Sequence, residues 1–197
     1  MVKTVLPFEI HLTVDSLPLH RQDAFVNFCF QNDAKPLFIQ LSKGDFINQP
    51  MLGKVVHCYN LNDVLSISNN LSSKLLADNF EVKRLKIEIP SECADLIQFD
   101  SGFTQYFEWH GKVNYINTAL LLQICETHKA HISSNSLKNE EGFRFITLRE
   151  FGTKEQFERR VINITTAINK GWNMIKQESE YCIYDNNHFL DSGWLPQ

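Results

Sequence analysis

The segment Phe8 to Val14, FEIHLTV, returns as FEWHGKV at Phe107 to Val113, each time with a Glu and a His two residues apart. A strand that occurs twice constrains the fold strongly, because the residues after each occurrence can be read with the same key. After FEIHLTV come a helical stretch from Leu19 to Asn32, a strand AKPLFIQL (34–41), a turn at Lys43-Gly44-Asp45 and a strand PMLGKVVHC (50–58). A helix with Val64, Leu71 and Leu75 on one face, capped by Asn62, leads to EVKRLKIEIP, a strand ended by Pro90. After FEWHGKV come a helix ALLLQICETHK (119–129), a strand AHISSNSL (130–137), a turn at 140–142 and a strand FRFITLRE (143–150). A capping box at Thr153 to Gln156 then starts a helix with Phe157, Val161, Ile164 and Ile168 in a stripe, and ESEYCIYD (178–185) closes the series.

Both halves therefore read β-α-β-β-α-β. The expected architecture is α+β: tandem duplicated ferredoxin-like units, each an antiparallel sheet with both helices on one face. Residues 1–90 form the first half, 91–105 a linker, and 106–197 the second half with a C-terminal tail. The tail, YDNNHFLDSGWL (184–195), interleaves polar residues with Phe189, Leu190, Trp194 and Leu195, and is expected to pack back on the fold.

Composition narrows the partners. With 43% hydrophobic residues the chain can fill a core, and its net charge of −4 gives no field that would gather nucleic acid, so no DNA partner is expected. No apolar run reaches the ~18 residues of a membrane span, and the N-terminus has no signal-peptide pattern, so a cytoplasmic location without membrane attachment is expected. Five cysteines without CxxC spacing read as reduced core residues.

Side chains alternate along a strand, so Phe8, Ile10, Leu12 and Val14 share one face while Glu9, His11 and Thr13 share the other. By the same alternation Glu108, His110 and Lys112 oppose Phe107, Trp109 and Val113. Helices should cover the apolar faces, which leaves both Glu-x-His pairs on helix-free faces that can meet in a cleft. His131, Ser133 and Asn135 should join them, with Lys35 at the position equivalent to His131, and Arg144 and Arg149 either as anion clamps or as edge-strand charges guarding against aggregation.

Two imidazoles flanking a phosphate can act as acid and base, which makes His11, His110 and His131 the candidate catalytic residues. Glu9, Thr13, Lys35, Glu108, Lys112, Ser133, Asn135 and Arg144 are the candidate ligand-binding residues. The same groups allow a divalent metal on Glu9, His11, Glu108 and His110, although no cofactor is required. They are equally compatible with ordinary cross-strand pairs on a solvated sheet face. The function expected is binding, extending to hydrolysis, of a small anionic, phosphorylated ligand between the halves. The competing expectation is a non-catalytic ligand-sensing or protein-interaction module.

Some stretches resemble known families. IHLTVDSL is similar to the opening strand of glyoxalase-type proteins, where a strand His binds metal, although that module runs β-α-β-β-β. His11-Leu-Thr-Val and His131-Ile-Ser-Ser resemble the His-x-Thr/Ser-x motif of the two-histidine phosphoesterases, with His131 in the family's place and His11 on the opening strand instead. This likeness implies cleavage of cyclic phosphates or RNA ends. Across almost the whole chain, FExHxxV, YFExHxKV and YDxNxxLDxGW resemble a widespread family of uncharacterised proteins, which implies the element boundaries and no activity.

Overall fold

The computed structural model describes residues 4–96, 102–114, 118–136 and 142–194, with Thr118 by its backbone only. Among these, the first half comprises β1 (Leu6–Val14), α1 (Leu19–Gln31), β2 (Lys35–Leu41), β3 (Asn48–Cys58), α2 (Leu61–Ala77) and β4 (Val82–Pro90). A 3₁₀ turn at Ser91–Leu96 leads toward the second half: β5 (Tyr106–Asn114), α3 (Thr118–Thr127), β6 (His131–Asn135), β7 (Phe143–Glu150), α4 (Lys154–Ile168) and β8 (Met174–Asp185). The tail makes a further 3₁₀ turn at His188–Asp191. The expected order of elements forms, but the cap of α2 is Asn60, whose side chain accepts the Asp63 N–H at 3.0 Å; Asn62 is exposed inside the helix. The capping box at Thr153 and Gln156 starts α4.

Two separate sheets facing each other across a cleft do not form. The described strands close into one antiparallel barrel in the order β1-β3-β2-β6-β7-β5-β8-β4. Each half alone would end in edge strands, β2 and β4 or β6 and β8, with rows of backbone N–H and C=O groups facing solvent. Joining β2 to β6 (Ile39 opposite Asn135) and β4 to β8 (Ile89 opposite Tyr181) pairs both sets of edges. Because these equivalent strands run antiparallel, the halves are related by an approximate two-fold axis across the barrel. Equivalent residues therefore lie toward opposite ends.

The apolar cores lie outside the barrel wall, beneath the helices. Phe8, Ile10, Leu12 and Ile87 pack with Phe25, Val64 and Leu75 in one cluster, and Trp109, Ile146 and Leu148 pack with Leu121, Phe157 and Ile164 in the other. Full burial of each such side chain contributes roughly 1.5–3 kcal/mol, so the wall is fixed from without. Gly111 has a packing reason within FEWHGKV: a Cβ there would collide with the indole of Trp109. Of the five thiols, all unpaired, Cys29 and Cys125 are buried in these clusters and pushed up to about 12 by burial.

The tail does pack back. Leu190, Asp191 and Trp194 are buried; Trp194 lies against Leu41 and donates its indole N–H to the Ile132 carbonyl at 3.3 Å, and Gln49 donates to the Leu190 carbonyl at 2.8 Å. Gly44, at φ 113°, allows the close approach of the tail, since a Cβ there would stand 2.9 Å from the Ser192 carbonyl oxygen. Leu195 falls outside the described residues.

Candidate functional site

With its apolar faces turned outward, the barrel presents the other set of alternating side chains to its own interior. They line a cavity of about 200 Å³, below the roughly 300–1,000 Å³ of drug-sized pockets. Its rim carries the exposed residues Lys35 and Glu178 with the half-exposed Glu9, and its floor is made by Asp191 and Trp194 of the tail.

The middle of the cavity holds two His–Glu pairs built by one rule. Glu9 stands opposite Glu88 in the β1–β4 ladder, and Glu108 opposite Glu180 in the β5–β8 ladder. His11 and His110, two residues along, reach diagonally to those carboxylates. The contacts are 3.0 Å from His11 Nε2 to Glu88 and 3.3 Å from His110 Nε2 to Glu180. A donor atom of His110 also lies within 4.8 Å of a Glu88 oxygen, so that carboxylate contacts one imidazole and stands near the other.

The surrounding charges are tightly matched. Lys86 bridges Glu88 at 2.9 Å and Glu108 at 2.8 Å, while Arg149 binds the other oxygen of Glu108 at 2.7 Å and Asp191 at 2.6 Å. Arg84 joins Asp185 and Asp191, and the Tyr106 hydroxyl donates to Asp185 at 2.6 Å. Three fixed cations thus face five carboxylates, Glu88, Glu108, Glu180, Asp185 and Asp191. The imidazoles make up the difference when protonated. Burial pushes His110 down, but its contacts with Glu108 and Glu180 outweigh it and raise its pKa to about 10. His11 is likewise raised, burial being outweighed by Glu88 and Glu9. Burial pushes the Glu88 carboxyl up, yet the Lys86 ammonium and His11 hold it at about 2.

The two pairs differ at their second ring nitrogen. His110 Nδ1 meets the Thr147 hydroxyl at 3.1 Å. Opposite His11 the equivalent β3 residue is Gly53, and His11 Nδ1, although buried, has no hydrogen-bond partner among the described residues. Arg149, which also lines the cavity, keeps its buried NH1 in the same condition.

The sequence-derived site residues separate into groups. His11, His110, Glu9, Thr13, Lys35, Glu108, Ser133 and Arg149 line one cavity. His131 does not line it: its ring faces Trp194, 5.9 Å between centroids, and burial with Lys43 and Arg149 nearby lowers it to about 4. Asn135 accepts the Phe38 N–H at the β2–β6 seam, and the Lys112 ammonium lies 4.3 Å over the Phe143 ring. Arg144 shares the outward parity of Ile146 and Leu148 and donates to the Phe143 carbonyl. A metal site on Glu9, His11, Glu108 and His110 does not assemble, because Glu108 is taken up by Lys86 and Arg149; among the described residues the His/Glu cluster is Glu88, His110 and Glu180. Glu88, Lys86 and Arg84 line the cavity as well, and the signal for them is the alternation that makes Leu85, Ile87 and Ile89 core residues and turns these three inward.

No family model matches this chain, and no curated protein matches it. Among solved structures, the acetolactate synthase small subunit from Thermotoga maritima is similar at 11% identity, covering 91% of this chain and 95% of that one with a TM-score of 0.32. A heme-binding protein from Thermus thermophilus gives 12% identity, 92% coverage of each chain and a TM-score of 0.32. A chlorite dismutase mutant from Candidatus Nitrospira defluvii gives 12% identity, 94% coverage of each and a TM-score of 0.29. At this level of likeness nothing about ligand or activity passes from those proteins to this chain.

Proposed function

We propose that the barrel takes one small phosphorylated ligand into its interior. The observation that carries this reading is that two residues lining one cavity, His11 and Arg149, each keep a buried nitrogen, Nδ1 and NH1, without a partner among the described residues. Buried donors and acceptors are almost always satisfied, and both of these are of types that hold phosphate oxygens. Lys35 at the rim adds a third cation on the path inward. The carboxylates Glu9 and Glu178 beside it repel dianions, which favours a singly charged phosphodiester, such as a cyclic phosphate, over a phosphomonoester. Each fixed cation is already held by at least one carboxylate, which limits what it can add to a transition state and favours a second reading as a sensing module.

A panel of cyclic nucleotides and phosphomonoesters, scored for binding by calorimetry and for turnover by product release, separates these. The expected result is binding of a cyclic phosphodiester that weakens at least tenfold in His11→Gln. Turnover lost in the same variant makes the chain a hydrolase, and binding without turnover makes it a sensor. No binding across the panel overturns the phosphorylated-ligand reading.

A further inference from the structure

We propose that the barrel holds one divalent transition-metal ion on Glu88, His110 and Glu180. The three come from β4, β5 and β8, consecutive strands of the wall, and one donor atom of each lies within 4.8 Å of the others. Zinc bonds of about 2.0–2.2 Å to nitrogen and oxygen place such ligands 3–4 Å apart, so small side-chain rotations would close the set.

Three further observations point to a cation. Glu88 is fully buried, and beyond its ion pairs with Lys86 at 2.9 Å and His11 at 3.0 Å its two oxygens have no partner among the described residues. The contact of His110 Nδ1 with the Thr147 hydroxyl fixes the ring so that Nε2 faces the carboxylates, the outer-shell support that metal-bound histidines usually have. The interior also carries two more carboxylates than fixed cations, a difference that one divalent ion can balance in place of the protons on His11 and His110.

One imidazole with two carboxylates suits zinc, manganese or ferrous iron better than magnesium or calcium. Three protein ligands leave at least one coordination position open toward the cavity, as in catalytic rather than structural sites. Such an ion would attract the phosphorylated ligand proposed above. The inference nevertheless rests on the protein's own ligands and is tested with metal alone, so the two readings fail separately.

The full chain, dialysed against a chelator, is titrated with Zn²⁺ by calorimetry and with Mn²⁺ by electron paramagnetic resonance. The expected result is one ion per chain, with affinity lowered about 100-fold or more in Glu180→Gln and in His110→Gln, and about tenfold in Thr147→Val through the outer shell. The exposed His20→Gln variant should bind as the parent does. Glu180 keeps 16% of its side chain exposed, so its variant should fold even if others do not, and circular dichroism verifies this. Absence of uptake, or uptake unchanged in folded Glu180→Gln, overturns the assignment. A thiolate-to-metal charge-transfer band in the Co²⁺-loaded parent would place the ion on a cysteine and overturn it as well.

Discussion

The two Glu-x-His strands lie in one barrel and do different work. In β5, Glu108 is buried between Lys86 and Arg149, and His110 is held on both ring nitrogens, by Glu180 and Thr147. In β1, Glu9 sits at the rim with 37% of its side chain exposed, and His11 is held on one nitrogen only, because Gly53 stands where the second half has Thr147. The diagonal His–Glu pair forms twice, once in each half. Closure by the tail at one end then made one pair a support and left the other facing the mouth.

The sharpest way to break this comparison is to remove the same letter from both strands. Glu108→Ala leaves Lys86 and Arg149 without their shared buried partner and should cost about 3–5 kcal/mol in urea unfolding. Glu9→Ala, at a solvated rim, should cost under about 1 kcal/mol. Equal losses would mean that the halves are not differentiated.

A smaller effect is expected from exchanging the residues that face the imidazoles. Thr147→Val strands His110 Nδ1 and should cost roughly 1–2 kcal/mol. Gly53→Ser does the reverse. A Cβ there meets Leu37 at 3.4 Å and His11 Nδ1 at 3.7 Å, both ordinary contacts, so a hydroxyl can reach the orphaned nitrogen. The variant should gain about 0.5–1 kcal/mol while losing affinity for a phosphorylated ligand, as thermal unfolding and calorimetry would register. Gain of stability with affinity intact would remove His11 Nδ1 from the binding site.

An effect that appears only on acidification concerns Lys35 and His131, which stand opposite Gly53 and Thr147 in equivalent ladders. Lys35 lies in solvent, whereas His131 under Trp194 is lowered from 6.5 to about 4 by burial, with Lys43 and Arg149 adding to it. Above pH 6.5 the ring is neutral whether folded or not, so nothing is lost. Between pH 6.5 and 4 the unfolded chain takes up a proton that the folded chain refuses, so stability declines as pH falls through that window. In His131→Gln, unfolding midpoints followed from pH 7 to 4 should fall less steeply than in the parent.

Alternation along FEIHLTV and FEWHGKV is a local property, and it did turn both Glu-x-His pairs away from the helices. The same reasoning should have given Glu88 and Lys86 from EVKRLKIEIP, but attention to the apolar letters of a strand passes over its polar ones. Arg144 and Arg149 are five residues apart, an odd number, so one strand cannot turn both inward; parity alone excluded the expected double clamp. Barrel closure is another matter. The pairing of Ile39 with Asn135 and of Ile89 with Tyr181 depends on two edges nearly a hundred residues apart finding each other, and neither strand differs in pattern from an edge that faces water.

The turn at His188–Asp191 has one more consequence. A barrel whose halves are related by a two-fold axis across its length would offer two equivalent doorways, and a molecule could pass straight through. Asp191, clasped by Arg84 and Arg149, and Trp194 beside it make the passage a cul-de-sac. Whatever enters past Glu9 and Lys35 must back out the same way, so departure of one occupant precedes arrival of the next. Residence time in the well, rather than encounter at its lip, is then the natural limit on how often the site can be used.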